Sequence, residues 1–109
     1  MANTSKLKTK ANVGVTTVGI YTAPAATTTV VIGITMANTS GSGVNVGVGI
    51  TRAGTTEDVK LLKNAPIPQG SSLEFMSGNK IVLEATDTVV VDSDTNNSVD
   101  AALTIMEIT

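Results

Sequence analysis

The stretch that decides the fold is VVIGITMANTSGSGVNVGVGIT, residues 30–51. Two runs in which aliphatic residues alternate with small or polar ones, 30–37 and 44–51, flank a loop rich in Asn, Ser and Gly. Period-two alternation on both sides of such a break is typical of a β-hairpin. Pairing Met36 with Val44 brings the alternate residues of the two runs opposite each other. The sequence therefore predicts a hairpin with one purely aliphatic face.

The other face of this predicted hairpin carries glycine. The same register sets Gly33 opposite Gly47, and Val31 opposite Gly49. Glycine inside a strand costs backbone entropy and packs no side chain of its own. Either a partner approaches the backbone closely here, or the sheet bends or bulges. Gly33, Gly47 and Gly49 are therefore candidate contact residues.

The rest of the chain continues in short runs of the same kind. Strands are predicted at 13–21, 72–75, 80–84, 88–92 and 99–108, a strand or one helical turn at 58–63, and turns at 22–24, 67–70 and 77–79. About eight short strands with turn signals between them are typical of an antiparallel sandwich or jelly roll. The sequence therefore predicts an all-β fold. It consists of a single β-sandwich or jelly-roll-like domain over residues 13–109, preceded by a basic arm at 1–12.

Charge is distributed unevenly between these two parts. The net charge is −2, yet the arm holds Lys6, Lys8 and Lys10 and no acidic residue. A solvated, flexible terminus is the ordinary reading of such a segment. Lysines spaced two apart can instead project together from an extended arm and meet an acidic neighbour. Lys6, Lys8 and Lys10 are therefore candidate docking residues.

Aromatic side chains are scarce: one Tyr, one Phe and no Trp. Because aromatic residues supply the largest blocks of buried area, a core of Val, Ile and Ala stabilises a monomer less per residue. Burial against other copies or a larger assembly would offset the difference. The sequence therefore predicts a homo-oligomer or an assembly component.

Several function classes are disfavoured by the residues that are missing. Without His or Cys, Ser-His and Cys-His nucleophilic sites and ordinary zinc sites are excluded. Phosphate-cradling motifs are absent, and a paired-carboxylate glycosidase would lack aromatic platforms for sugar. We therefore expect no enzyme and no cofactor. We also expect no nucleic-acid footprint, no membrane span and no signal peptide.

One acidic segment resembles the start of a calcium loop. Asp92, Asp94 and Asn96 alternate as oxygen donors, and Asp100 follows. Leu103 stands at the twelfth position, where such loops place a bidentate Glu. The other reading is a polar hairpin loop whose side chains bond the local backbone. Calcium binding at Asp92, Asp94, Asn96 and Asp100 is the weaker of the two predictions.

The order of the turn motifs carries a resemblance to a known family. The motifs are Ile20-Tyr21-Thr22-Ala23-Pro24, the Asn38–Gly43 loop, Leu62–Asn64, Ile67-Pro68-Gln69-Gly70 and Ile81–Val89. In this order, over residues 18–108, the chain resembles a small β-sandwich module of structural proteins in tailed bacteriophage virions. Thr86 stands where the family pattern usually has Gly.

The resemblance implies a non-enzymatic virion protein assembled in the host cytoplasm. Its most plausible role is decorating or cementing the capsid in many copies, with the major capsid protein or tail proteins as partners. A tail or tail-fibre component is the alternative, and a receptor- or glycan-binding module is a third candidate.

Overall fold

A computed structural model describes residues 3–53, 57–75 and 80–109 of the protein. The predicted turn at 77–79 lies outside these residues. Nine strands form within them: β1 (Asn3–Val13), β2 (Val18–Thr22), β3 (Thr28–Asn38), β4 (Val44–Arg52), β5 (Glu57–Ile67), β6 (Ser72–Phe75), β7 (Ile81–Leu83), β8 (Thr88–Ser93) and β9 (Val99–Ile108). No helix in the described part of the chain is long and apolar enough to cross a membrane.

The strands form two antiparallel sheets. The first sheet has the order β1-β9-β3-β6, with β7 also paired to β3, and the second has the order β2-β8-β4-β5. Aliphatic residues from both sheets share one core, in which Met36, Leu83, Leu103 and Ile105 are fully buried. The predicted all-β sandwich is confirmed.

The predicted hairpin between residues 30–37 and 44–51 is wrong. Strand β3 pairs with β9, β6 and β7 in the first sheet, whereas β4 pairs with β5 and β8 in the second. The loop after Asn38 therefore crosses from one sheet to the other. An alternating apolar face is satisfied equally well by a neighbour in the same sheet or by the opposite sheet across the core, so alternation alone does not distinguish them.

The crossing loop is held by the side chain of Asn38. Its amide nitrogen donates to the carbonyl oxygens of Ser42 (2.8 Å) and Ile67 (2.9 Å), and its amide oxygen accepts from the backbone N–H of Ser40 (2.9 Å). The loop chemistry that suggested a hairpin instead fixes the connection between the sheets.

The predicted aliphatic face of β3 is interrupted by a bulge. The register with β9 shifts between Val31 and Gly33. Val31 is therefore buried and Ile32 is 37% exposed, while Ile34 and Met36 beyond the bulge point into the core. One inserted residue reverses the alternation, and the run of aliphatic residues does not reveal where it sits.

Other strand limits also differ from the sequence prediction. The predicted strand at 13–21 is wrong in its first half, because β1 ends at Val13 and β2 begins at Val18. The segment at 58–63 is strand, within β5, and not a helical turn. Strand β9 has the predicted limits, with Val99, Ala101, Leu103 and Ile105 all buried.

Candidate docking site on strand β1

Strand β1 contains most of the segment predicted as a basic arm, and it forms one edge of the first sheet. It pairs with β9 from Asn3 opposite Ile108 to Lys10 opposite Ala101, and the register shifts before Val13. Among the described residues of β1, Val13 alone is buried. Backbone pairing therefore holds the strand more than apolar burial does. The division into arm and domain stays a prediction.

The three lysines lie on one face of β1. Lys6, Lys8 and Lys10 stand opposite Ile105, Leu103 and Ala101, which point into the core. Directly opposed residues of an antiparallel pair share a face. The lysines therefore lie on the inner side of an edge strand. We call Lys6, Lys8 and Lys10 the basic edge.

Lys6 enters a buried polar network that joins the two sheets. Its Nζ lies 2.9 Å from Oε1 of Glu107 on β9, and Tyr21 on β2 donates its hydroxyl proton to Glu107 Oε2 at 2.6 Å. The Tyr21 oxygen also lies 2.8 Å from Thr29 Oγ1 on β3. Because Tyr21 gives its only proton to Glu107, Thr29 is the donor in that bond. Four strands thus meet in one polar network centred on Tyr21 and Glu107.

The network shifts the pKa values of its titratable members. Hydrogen bonding from Tyr21, and then from Lys6, holds the pKa of Glu107 below its usual value. Burial, reinforced by the hydrogen bond to Glu107, raises the pKa of Tyr21 to about 12. At neutral pH Glu107 is therefore ionised and Tyr21 is protonated, the combination that the hydrogen bond requires.

The rest of the basic edge is more accessible. Lys8 Nζ lies 6.0 Å from the centroid of the Tyr21 ring, at the outer limit of a cation–π contact. Lys10 is exposed and borders an open groove of about 360 Å³ together with Thr9, Ala11 and Asp100. Lysines turned inward along an edge strand hinder unspecific pairing of that edge with other strands. They also leave positive charge at the surface for an acidic partner.

The predicted calcium ligands have separate partners in the structure. Asp92 Oδ2 accepts from the Thr17 hydroxyl at 3.0 Å, and Asp94 Oδ1 accepts from the backbone N–H of Asn45 at 3.1 Å.

The other two accept from backbone N–H groups at the end of β1 and in the segment that follows it. Asn96 Oδ1 accepts from the N–H of Val15 at 3.3 Å, and Asp100 Oδ1 from that of Asn12 at 3.0 Å. No group of three or more acidic side chains that could hold a metal occurs within the described ranges. Calcium binding at this loop stays a prediction.

The three candidate glycines do not form one surface. Gly33 lies in the first sheet, and Gly47 and Gly49 lie in the second, so their predicted common face is wrong. A Cβ on Gly47 would meet Asp92 Oδ1 at 2.6 Å, and one on Gly49 would meet the Val59 carbonyl oxygen at 2.7 Å. Close approach within the sheet explains these two glycines. Any contact with a partner stays a prediction.

Sequence reasoning missed the Tyr21–Glu107 pair, although one signal for it was present. Glu107 continues the alternate positions of Val99, Ala101, Leu103 and Ile105, all predicted to face one side of β9. A carboxylate at one of these alternate positions points inward and needs a buried partner. Nothing in the sequence names Tyr21 as that partner, because the two residues lie 86 positions apart.

Comparison with known proteins gives similarity in fold. No protein-family model and no curated protein matches the chain. A chain of the acid-stable capsid of Helicobacter pylori bacteriophage KHP30 matches with a TM-score of 0.59 and 14% identity, over 99% of this chain and 92% of that one. A chain of the cyanophage Pam1 capsid matches with a TM-score of 0.53 and 13% identity, over 96% and 84%. A chain of the disulfide-linked pili of Bacillus endospore appendages matches with a TM-score of 0.57 and 15% identity, over 99% and 87%. At these identities the likeness establishes the fold, a β-sandwich similar to those found in phage capsid and pilus structures.

Proposed function

We propose that the protein is a non-enzymatic structural component of a tailed-phage virion, most specifically one that decorates or cements the capsid shell. The observation that carries this proposal is the likeness to the KHP30 capsid chain, which extends over nearly the whole of both chains. The order of turn motifs in the sequence supports the same role independently.

The basic edge is the docking element in this proposal. It holds three of the chain's seven basic residues, while the nine acidic residues all lie beyond the first twelve positions. Lys6 is paired with Glu107, so Lys8 and Lys10 supply the positive charge that is free to meet a partner. An acidic patch on a capsid or tail protein is the matching partner, because complementary charge guides docking and sets orientation.

The test is incorporation into particles. Purified virions that carry the wild-type chain are compared with virions assembled with a Lys8→Glu/Lys10→Glu variant, and copy number is measured by quantitative mass spectrometry. We expect a loss of about tenfold or more, since charge reversal sets like charges together. The matched control is Lys63→Glu/Lys80→Glu, which reverses two exposed lysines outside β1 and so changes the net charge by the same amount.

Two results count against the proposal. Equal loss in the control would assign the effect to net charge and not to the basic edge. Absence of the chain from the major proteins of purified particles would contradict the virion role itself. Tracing the chain in particle images by cryo-electron microscopy would distinguish the shell from the tail.

A tail or fibre component is the second candidate. The likeness to the endospore appendage chain favours it, because the same sandwich is found there in a pilus. A glycan-binding module has less support in the structure: Tyr21 is buried and Phe75 is half-buried, so neither ring offers an open platform for sugar.

A further inference from the structure

Most of strand β1 is held to the body without apolar burial. Between residues 3 and 12 no side chain is buried, Lys8 alone is half-buried, and Leu7 is 64% exposed. The hydrogen bonds to β9 contribute little by themselves, because opening replaces them with hydrogen bonds to water. Segments with few buried apolar contacts open locally far more often than the whole domain unfolds. Residues 3–11 are therefore expected to open while the rest of the sandwich stays folded.

The segment that follows is fixed to the body. Val13 is 1% exposed, and its carbonyl oxygen accepts the backbone N–H of Ser98 at 3.1 Å. The carbonyl oxygen of Gly14 accepts the backbone N–H of Ser93 at 2.9 Å. These bonds tie the start of the β1–β2 connection to strand β8 and to the residue before β9. Opening of β1 must therefore pivot just before Val13.

Asn12, the residue at this pivot, has a strained backbone. Its φ is +59°, in the left-handed region, and the register with β9 shifts between Lys10 and Val13. This region is unfavourable for residues other than glycine, although Asn and Asp tolerate it best. An extended Asn12 would relieve the strain and let residues 3–11 project from the body by up to about 30 Å. Short strained hinges favour the exchange of the adjoining element between copies.

The edge of β9 that β1 covers is matched to the chemistry of β1. On its inner side lie the buried residues Ala101, Leu103 and Ile105, followed by the Glu107 carboxylate. The Glu107 side chain is only 9% exposed and lies 2.9 Å from Lys6 Nζ. When β1 opens, β9 presents unpaired backbone groups and Glu107 loses its cation. Both costs are removed when the edge is covered again by a strand with a basic residue in this register.

A second copy of the chain carries a strand that fits this edge, because it carries β1 itself. Exchange keeps the whole pairing, from Asn3 opposite Ile108 to Lys10 opposite Ala101, and it keeps the bond from Lys6 to Glu107. Only the backbone around the pivot changes. Exchange of an identical element is a low-cost route to association, since the contacts between strands are the same in both forms.

We propose that residues 3–11 of β1 exchange between copies of this chain, so that the strand of one copy covers the β9 edge of another. The ion pair between Lys6 and Glu107 is the contact that breaks and re-forms at each exchange. The inference rests on the self-association that is part of the proposed function. It does not depend on which virion part the protein occupies.

The test is a disulfide between two different chains. Leu7 on β1 and Thr104 on β9 stand directly opposite each other, and both are exposed. Opposed residues lie about 4.5–5.5 Å apart between Cα atoms, within the range that a disulfide bridges. The chain contains no cysteine, so Leu7→Cys and Thr104→Cys each introduce a single thiol. The two single variants are mixed and oxidised, and exchange places their thiols side by side.

The matched control replaces Thr104→Cys by Asn45→Cys, an exposed position on β4 in the second sheet. Disulfides in that mixture report random collision. We expect at least about ten times more mixed disulfide between Leu7→Cys and Thr104→Cys than in the control, because only that pair is held in register.

The rate of exchange tests the ion pair. The bond from Lys6 to Glu107 is present before and after exchange but not while the strand is open. With oxidant in excess, Lys6→Gln in both chains should therefore speed formation of the mixed disulfide by up to about fivefold and leave its final yield unchanged. Lys10→Gln removes the same charge from an exposed side chain outside the network and should change the rate by about twofold at most.

Two results overturn the proposal. Equal yields of mixed disulfide with Thr104→Cys and with Asn45→Cys would contradict exchange. Equal rates for Lys6→Gln and Lys10→Gln would contradict opening at the ion pair. Either result leaves the virion role standing, since that role is decided by incorporation into particles.

A second measurement needs no substitution and covers the case in which a variant does not fold. In the wild-type protein, amide hydrogens that β1 bonds to β9 should exchange with solvent at least about 100-fold faster than those between β3 and β9. Their rates should also be nearly independent of low urea concentrations, because local opening exposes little surface. Equal protection of the two groups would show that β1 opens only when the domain unfolds, and would overturn the proposal.

Discussion

Removing the hydroxyl of Tyr21 is the most direct test of how the two sheets are joined. Tyr21→Phe keeps the ring in the core but deletes the 2.6 Å bond to Glu107 and the 2.8 Å bond to Thr29. A hydrogen bond to a charged group contributes about 1.5–3 kcal/mol, and a neutral one about 1 kcal/mol. Thr29 is fully buried and would lose this partner, whereas Glu107 retains Lys6. We expect the free energy of unfolding to fall by about 2–3 kcal/mol.

The assay is urea and thermal unfolding followed by far-ultraviolet circular dichroism. For a chain of this length 1 kcal/mol corresponds to about 4 °C, so Tm should fall by about 10 °C. The matched control is Thr22→Val, the next residue of β2, whose exposed hydroxyl shares a 2.9 Å bond with Thr88. We expect that change to stay within about 0.5 kcal/mol.

The pH dependence of the same variant adds a second check. The pKa of Glu107 is lowered in the folded protein. The ionised carboxylate therefore contributes to the free energy of unfolding at pH values above its ordinary pKa of 4.5, and this contribution is lost as the pH falls through the folded pKa. The difference in the free energy of unfolding between wild type and Tyr21→Phe should therefore have its whole value at neutral pH and become smaller in acid. A Tyr21→Phe protein as stable as wild type at pH 7 would falsify the claim that this network joins the sheets.

The remaining predictions concern single residues. Because Tyr21 is the only tyrosine and Trp is absent, tyrosinate absorbance should report its pKa directly, with a midpoint of about 12 folded and 10 unfolded; a folded midpoint near 10 would contradict the buried hydrogen bond. Because the pKa of Tyr21 is raised in the folded protein, the contribution of its hydroxyl to the free energy of unfolding is fully present below pH 10. This contribution is lost as the pH rises toward 12. Thr86 has φ +68°, so Thr86→Gly should stabilise the turn by about 0.5–1 kcal/mol in chemical denaturation, and a loss of stability would refute the strain. Gly49→Ala should lower the free energy of unfolding by about 1–3 kcal/mol, because the added Cβ would meet a carbonyl oxygen at 2.7 Å. In Gly33→Ala the nearest contact of the added Cβ is 3.7 Å, so its free energy of unfolding in dilute solution should stay within about 0.5 kcal/mol of wild type.

The candidate site was predictable only in part. The spacing of Lys6, Lys8 and Lys10 placed them on one side of an extended segment, but not on the inner side of an edge strand. That side is set by the register with β9, about 95 residues away along the chain. The buried partner of Glu107 depends in the same way on which strand crosses above it.

The sequence by itself determined that this chain is all-β, where β9 runs and which of its faces is buried. These properties are local, because alternation of Val and Ile with polar residues favours extended backbone and assigns each side chain a face. Only the tertiary structure decided which strands pair, and it put β3 and β4 in different sheets. Backbone hydrogen bonds are the same for every strand, so the choice of partner depends on packing of the whole core and on single features such as the bulge after Val31 and the Asn38 loop.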